Sequence, residues 1–323
     1  SCPSMSTDSG SLPGVSAVIP AYNYAHFLSA AIDSILQQDY PNVHIIVVDD
    51  GSKDNTAEVV AKYGDKVEYV YQDNAGLPAS RNTGIRAAKT PFVAFLDADD
   101  LWLPNLVSQC IGVFADNDDS LGIVAGKFVR VDPEGKPYGK VTRDDDFYGF
   151  YRPEDIILKQ RFGASAVMVR REVFDEVGFF DVSLTSSEDR DMWIRIGAKY
   201  KGYLTEDVLG YVRNHPNSMS KHSDRMKQNM RAVIRKARAS DVIPKYNYPF
   251  WLRVIAFNMF QCAWMYFDER RYVRASVELT KSLLTWPFIV GCADLDEPPL
   301  FRIRALRRFL WAIVAGPRRP KNA

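Results

Sequence analysis

Residues 91–100 read Pro-Phe-Val-Ala-Phe-Leu-Asp-Ala-Asp-Asp, and they limit the possible folds more than any other stretch. The uninterrupted apolar run at 92–96 describes a short strand buried on both faces. It runs straight into Asp97, Asp99 and Asp100. Open α/β sheets hold their ligands at the carboxyl ends of such strands. Carboxylates crowded there repel one another, so a cation belongs with them. Hard oxygen ligands that leave room for water suit Mg²⁺ or Mn²⁺ carrying a phosphate. The competing reading is a solvated turn, with Asp99 or Asp100 capping a helix that starts near Leu101.

The chain before this point supports the first reading. Residues 15–19 form a strand stopped at Pro20. Leu28, Ile32, Ile35 and Leu36 then recur at helical spacing. A second buried strand, 43–48, ends in Asp49-Asp50-Gly51-Ser52, and a helix capped near Asp54 or Asn55 follows. A third strand at 67–71, a polar loop at 72–80 and a helix over 81–88 lead into the opening stretch. This alternation predicts an α/β fold with a mostly parallel sheet flanked by helices. Asp49-Asp50 and Asp97-Ala98-Asp99 then lie on one edge of the sheet, so a single site can draw on both.

Composition excludes several alternatives. Of 323 residues, 46% are hydrophobic and 25% charged, which are globular values. A net charge of +1 gives no general affinity for nucleic acid. Cys2, Cys110, Cys262 and Cys292 are far apart, so neither a zinc site nor a disulfide framework is expected. Residues 1–13 are small and polar and lack the apolar core of a signal peptide. The most apolar long stretch, 250–267, contains Arg253, Asn258 and Gln261 and reads as a buried or interfacial helix, not a membrane span. No Gly-x-Gly-x-x-Gly follows the first strand and no Gly-Lys-Ser/Thr loop occurs, so phosphates must be held by metal and side chains.

Val18-Ile-Pro-Ala-Tyr-Asn23, Val47-Val-Asp-Asp-Gly-Ser52, the run from Asn74 to Gly84 and Phe95-Leu-Asp-Ala-Asp-Asp100 resemble the successive motifs of family 2 glycosyltransferases. Val177-Gly-Phe-Phe-Asp181 and Ser187-Glu-Asp-Arg-Asp-Met-Trp-Ile-Arg195 are similar to the acceptor-side segments of that family. Tyr211-Val-Arg-Asn-His-Pro-Asn-Ser-Met-Ser220 matches a closing segment of its bacterial members. The Gln-x-x-Arg-Trp element of processive synthases is absent, which counts against long-polymer synthesis.

The resemblance implies a GT-A (nucleotide-diphospho-sugar transferase) fold, a nucleotide-sugar donor and inversion at the anomeric carbon. Asp50 or Asp49 would accept a hydrogen bond from uracil N3–H; a turn role for the pair is the alternative. Pro20, Tyr22 and Ala98 would complete the donor site. Arg81 would reach the base or the diphosphate, against a solvated place on an amphipathic helix. Asp97 would face the ribose hydroxyls and Asp99 would bind Mn²⁺ or Mg²⁺. His215 would add a metal or pyrophosphate contact, against a surface position before Pro216. Asp189 would be the general base with Glu188 beside it, against simple capping of a helix on which Asp191 pairs with Arg195. The Asp144–Asp146 run follows no apolar strand and reads as an exposed loop.

Beyond residue 220 the pattern is helical. The expected division is a flexible segment at 1–13, a catalytic domain at 14–220 and a C-terminal helical region at 221–323. Two helices, 250–267 and 273–284, form a hairpin. A last helix, 300–314, carries Ile303, Leu306, Leu310 and Ile313 on one side, with Arg302, Arg304, Arg307 and Arg308 over the rest and Arg318 and Arg319 after it. It either lies on an anionic membrane surface or packs on the catalytic domain with its arginines solvated.

The reading is an inverting, metal-dependent glycosyltransferase using a UDP-sugar and a glycan or lipid-linked glycan acceptor. It would be cytoplasmic, with peripheral contact at the inner face of the membrane through the basic helix. A polyprenyl-phosphate glycosyltransferase and a non-catalytic nucleotide- or glycan-binding module are the alternatives.

Overall fold

The computed structural model describes residues 12–137, 147–215, 222–288 and 300–315. Residues 1–11, the Asp144–Asp146 run, the expected boundary at 220, and Arg318 and Arg319 lie outside the described residues.

The chain opens β1 (Val15–Ala21), α1 (Ala25–Leu36), β2 (Val43–Asp49), α2 (Thr56–Ala61), β3 (Val67–Tyr71), α3 (Leu77–Ala87) and β4 (Phe92–Phe95). It continues with β5 (Leu101–Trp102), α4 (Leu106–Ala115), β6 (Leu121–Val131), β7 (Gly149–Tyr151), α5 (Pro153–Leu158), β8 (Val167–Arg170), α6 (Val173–Val177), α7 (Glu188–Gly197) and β9 (Lys201–Arg213). Four helices close it: α8 (Ser223–Ala239), α9 (Tyr248–Asp268), α10 (Tyr272–Thr285) and α11 (Phe301–Ala315).

The nine strands form one sheet in the order β3-β2-β1-β4-β8-β6-β9-β5, with β7 on β9. The expected parallel sheet is the first half, where β3, β2, β1 and β4 run parallel. Past β4 the sheet is mixed: β8 is antiparallel to β4 and β6, and β9 is parallel to β6.

Strand alternation sorts the core into two layers. Val18, Ile46, Val48, Val93 and Phe95 face one layer, which also holds Trp193 of α7 and Val233 and Trp251 of α8 and α9. Ala17, Ile19, Ile45, Val47, Ala94 and Leu96 face the other, under α1 and α4. Both faces are therefore buried, as the apolar strands require. At Gly84 any Cβ would collide with Val18, so the missing side chain lets α3 lie directly on β1.

The second half of α9 joins α10 and α11 in a smaller core of Cys262, Tyr266, Leu279, Ala305 and Phe309. This corrects the expectation for the last helix. It packs through Ala305, Phe309 and Ala312, not through the Ile303 side, and its partners are α9 and α10. Arg302, expected to be solvated, is 4% exposed and donates to the Ser282 carbonyl and hydroxyl. No helix among the described residues is long and apolar enough to cross a membrane.

Candidate active site

The carboxyl ends of the parallel strands open into a cavity of about 670 Å³. Pro20, Tyr22, Asp50, Asp97, Ala98 and Asp99 all line it, so the expected donor residues from three strands meet in one place. Arg130 and Arg213, on β6 and β9, also line it. They were not singled out in the sequence, because nothing local marks which arginines end a strand beside the site.

Asp49 and Asp50 have separate tasks. Asp49 does not line the cavity: it accepts from the Ser52 amide at 2.8 Å and the Tyr69 hydroxyl at 2.7 Å. Asp50 accepts from Gln72 Nε2 at 2.6 Å, the Ala75 amide at 2.9 Å and the Gly76 amide at 2.8 Å. Gly76, at φ 91°, adopts the left-handed backbone that glycine takes without strain. A carboxylate offers about four acceptor positions, so Asp50 fixes this loop and retains one position toward the cavity.

At the other end, no helix starts at Leu101: that residue opens β5, and α4 begins at Leu106. The capping role for Asp99 and Asp100 is thereby removed. Asp100 is buried, accepting from Ser165 Oγ at 2.6 Å and the Arg213 amide at 3.0 Å. Burial, then Asp99 and Asp97, push its carboxyl well above the usual range. Asp99 Oδ2 lies 2.8 Å from His215 Nε2, and His215 is only 6% exposed, packed against Tyr24 and Phe27. A surface position for His215 is excluded. Burial and the neighbouring Asp97 also raise the Asp99 carboxyl, against the pull of His215.

Among the described residues no three His, Cys, Asp or Glu side chains form a ready-made metal cage. Asp99 and His215 nevertheless supply one carboxylate and one imidazole, a donor set that suits Mn²⁺. The remaining positions fall to phosphate oxygens and water, as is usual for cations of this kind. The like charge crowded around Asp99 is what a bound cation would relieve, so the residues present fit the group.

Arg81 is not the solvated helix residue that one of its two readings describes. It is 2% exposed and does not line the cavity. Its Nη2 donates to Asp97 at 2.6 Å and its Nη1 to Glu188 at 2.5 Å. It therefore bridges the carboxylates of Asp97 and Glu188, which excludes a solvated place on an amphipathic helix. Burial would lower its pKa, but Asp97 and Glu188 outweigh that and hold the guanidinium charged. Arg81→Met would leave Glu188 buried beside Asp97 without a counter-charge. Removing one partner of a buried pair costs about 3 kcal/mol or more. Urea unfolding should show a lower midpoint at unchanged slope; wild-type stability would contradict the bridge.

Glu188 and Asp189 form the first turn of α7, where the helix end favours negative charge. Ser187, the preceding residue, has a left-handed φ of 60°, a strained conformation that aims this turn. Neither acid is the capping residue, and the expected Asp191–Arg195 pair is present at 3.0 Å. Asp189 accepts from Gln160 Nε2 at 2.6 Å and the Arg190 amide at 2.7 Å. Burial first and Glu188 second raise its carboxyl to about 7, with Arg81 opposing them. Asp189 is not among the residues that line the cavity; it follows Glu188 in the chain and is more exposed than Glu188 or Arg81. Gln160 was missed in the sequence because it lies 29 residues from its partner with no motif around it.

The family model described as Glycosyl transferase family 2 matches residues 16–178, half of the chain. The chain belongs to glycosyl transferase family 2. An uncharacterized glycosyltransferase of Rickettsia bellii (strain RML369-C) is 32% identical over 223 residues, covering 65% of this chain and 31% of that protein. The UDP-Glc:alpha-D-GlcNAc-diphosphoundecaprenol beta-1,3-glucosyltransferase WfgD of Escherichia coli is 34% identical over 142 residues, 40% of this chain and 55% of its own. The family 2 chain thus spans from about a third to just over half of these relatives. The mannosyltransferase PcManGT of Pyrobaculum calidifontis, solved with GDP-Man and Mn²⁺, superposes with a TM-score of 0.60 at 19% identity, covering 96% of this chain and 88% of that one. The fold is GT-A.

Proposed function

We propose that this family 2 chain is an inverting, metal-dependent glycosyltransferase that moves a sugar from a UDP-sugar to a hydroxyl of a glycan carried on a lipid. The observation that carries the reading is the Asp97-Ala98-Asp99 segment, which links the His215–Asp99 contact to the Asp97–Arg81–Glu188 bridge and so to the neighbouring Asp189. It joins a cation-favouring, phosphate-facing end to a carboxylate poised to take a proton. Mn²⁺ or Mg²⁺, when bound by Asp99 and His215, would neutralise charge on the departing diphosphate.

In this reading Asp97 and Ala98 receive the ribose, Pro20 and Tyr22 flank the base, and Asp50 reads it. The acceptor oxygen bonds to the anomeric carbon as the bond to the diphosphate oxygen breaks. The hydroxyl proton passes to Asp189, held in place by Gln160. A carboxyl near pH 7 suits a base working at neutral pH. This base also separates the reading from transfer to a polyprenyl phosphate, whose nucleophile is already ionised. A lipid-linked glycan acceptor is supported by the named acceptor of WfgD.

Residues 14–220 would then be the catalytic domain and 221–323 a helical region that braces its acceptor side. Asn229 of α8 binds Thr185, and Lys236 binds Asp181 and Asp191. Such an enzyme would work at the cytoplasmic face of a membrane.

Donor choice tests the base-reading part. Uracil presents N3–H to the Asp50 carboxylate, whereas cytosine presents a bare acceptor. An unpaired buried polar group costs on the order of 1–3 kcal/mol, so CDP should bind at least about tenfold more weakly than UDP. Thymine keeps N3–H, so dTDP should fall between them. Competition binding in Mn²⁺ reads the order; CDP binding as tightly as UDP would remove this role from Asp50.

A further inference from the structure

The last helix packs with its small residues and leaves a set of large ones outside. Ala305 and Ala312 let α11 approach α9 and α10 closely, and Phe309 stacks on Phe267 with ring centroids 4.4 Å apart. Ile303, Leu310, Ile313 and Val314 are 52%, 49%, 44% and 88% exposed. At 3.6 residues per turn these four occupy an arc of about 100°, with half-buried Leu306 inside it. Arg307 borders the arc, Arg304 lies beyond it past the exposed Trp311, and Arg308 lies further round over Trp264 and Phe267; Arg304 and Arg307 are both exposed. No Asp or Glu occurs anywhere between residues 301 and 315. Phe288, 67% exposed, is held at the start of the helix by a hydrogen bond from Arg302 to its carbonyl.

We propose that this arc is a docking surface for an anionic lipid bilayer. α11 would lie in the headgroup plane, with Ile303, Leu310, Ile313 and Val314 toward the acyl chains and Arg304 and Arg307 on lipid phosphates. Length excludes a spanning role: at 1.5 Å per residue its 15 residues reach about 22 Å, short of the roughly 30 Å hydrocarbon layer. Charge argues against a second copy of this chain as the occupant. The same faces brought together would juxtapose two sets of arginines with no acid on either helix to pair them. A membrane rich in phosphate headgroups supplies that counter-charge along the whole helix. The inference does not depend on the acceptor or on any catalytic assignment.

The test is sedimentation of the whole protein with vesicles. It should bind vesicles containing phosphatidylglycerol, stay in solution with pure phosphatidylcholine, and be released as salt rises from about 0.1 to 1 M. Each arginine near an anionic surface contributes about fivefold in affinity, so Arg304→Gln with Arg307→Gln should weaken binding by about 25-fold. Leu310→Glu with Ile313→Glu should abolish it. All four positions are exposed, so both variants should keep the wild-type thermal midpoint and the same nucleotide binding. Equal affinity for neutral vesicles, no affinity for anionic ones, or a wild-type dimer that the Leu310 and Ile313 pair dissociates would each overturn the proposal.

Discussion

Asp189→Asn should reduce transfer by at least about a hundredfold, the usual scale for losing a general base, with UDP affinity nearly unchanged. Asparagine keeps the shape, accepts from the Arg190 amide through its one oxygen and can donate to Gln160 once that amide turns to present its oxygen, but it cannot take a proton. The wild-type enzyme should also show the base in its pH profile. The carboxyl is raised to about 7 by burial and by Glu188, so it is protonated and idle below that pH. Turnover should therefore fall about tenfold per unit below pH 7 and level off above it, and the variant should lack this limb. A variant with intact turnover but lost UDP binding would move Asp189 to the donor side.

Asp99→Ala should have the larger effect on metal. Lewis-acid stabilisation of a departing diphosphate is worth several kcal/mol, so a loss of about three orders of magnitude in turnover is expected. UDP should then bind with the same affinity in Mn²⁺ and in chelator, whereas the wild-type protein should lose affinity when Mn²⁺ is removed. Asp100→Ala offers a contrast. Asp100 holds Ser165 and the Arg213 amide inside the protein, so its loss should act on stability before it acts on metal affinity. Wild-type turnover by the Asp99 variant in excess chelator would remove the metal from the mechanism.

The parallel half of the fold was legible because β1, β2 and β4 carry apolar runs buried on both faces, a pattern that a helix-covered sheet explains. Asp50, Asp97 and Asp99 were legible for the same reason: strand ends on one edge of a sheet converge whatever their separation in sequence. Helix α3 starts at Leu77, ahead of the expected 81, because Pro78 sits in its first turn, a start signal that was present in the chain. The mixed half was harder. Strand β9 runs from Lys201 to Arg213 beside β6 with several register shifts, which break the alternation that marks a strand.

Arg81 resisted sequence reading for another reason. Its partner Glu188 is 107 residues away, and only the assembled fold shows that both guanidinium ends meet carboxylates. For α11 the large apolar residues mark one side of the helix, and nothing local says which side packs. The small residues Ala305 and Ala312 decided it by permitting close approach around Phe309.

The most direct measurement is release of the nucleoside diphosphate from UDP-, dTDP-, GDP- and CDP-sugars in Mn²⁺, with a polyprenyl-diphosphate saccharide as acceptor. Wild-type protein and Asp189→Asn should be run side by side. The expected result is turnover of at least one UDP-sugar by the wild type, abolished by chelator, with the variant at least about a hundredfold slower at equal UDP affinity. Tight UDP binding with no release from any donor, and no difference between the two proteins, would contradict catalysis and leave a nucleotide-binding module in its place.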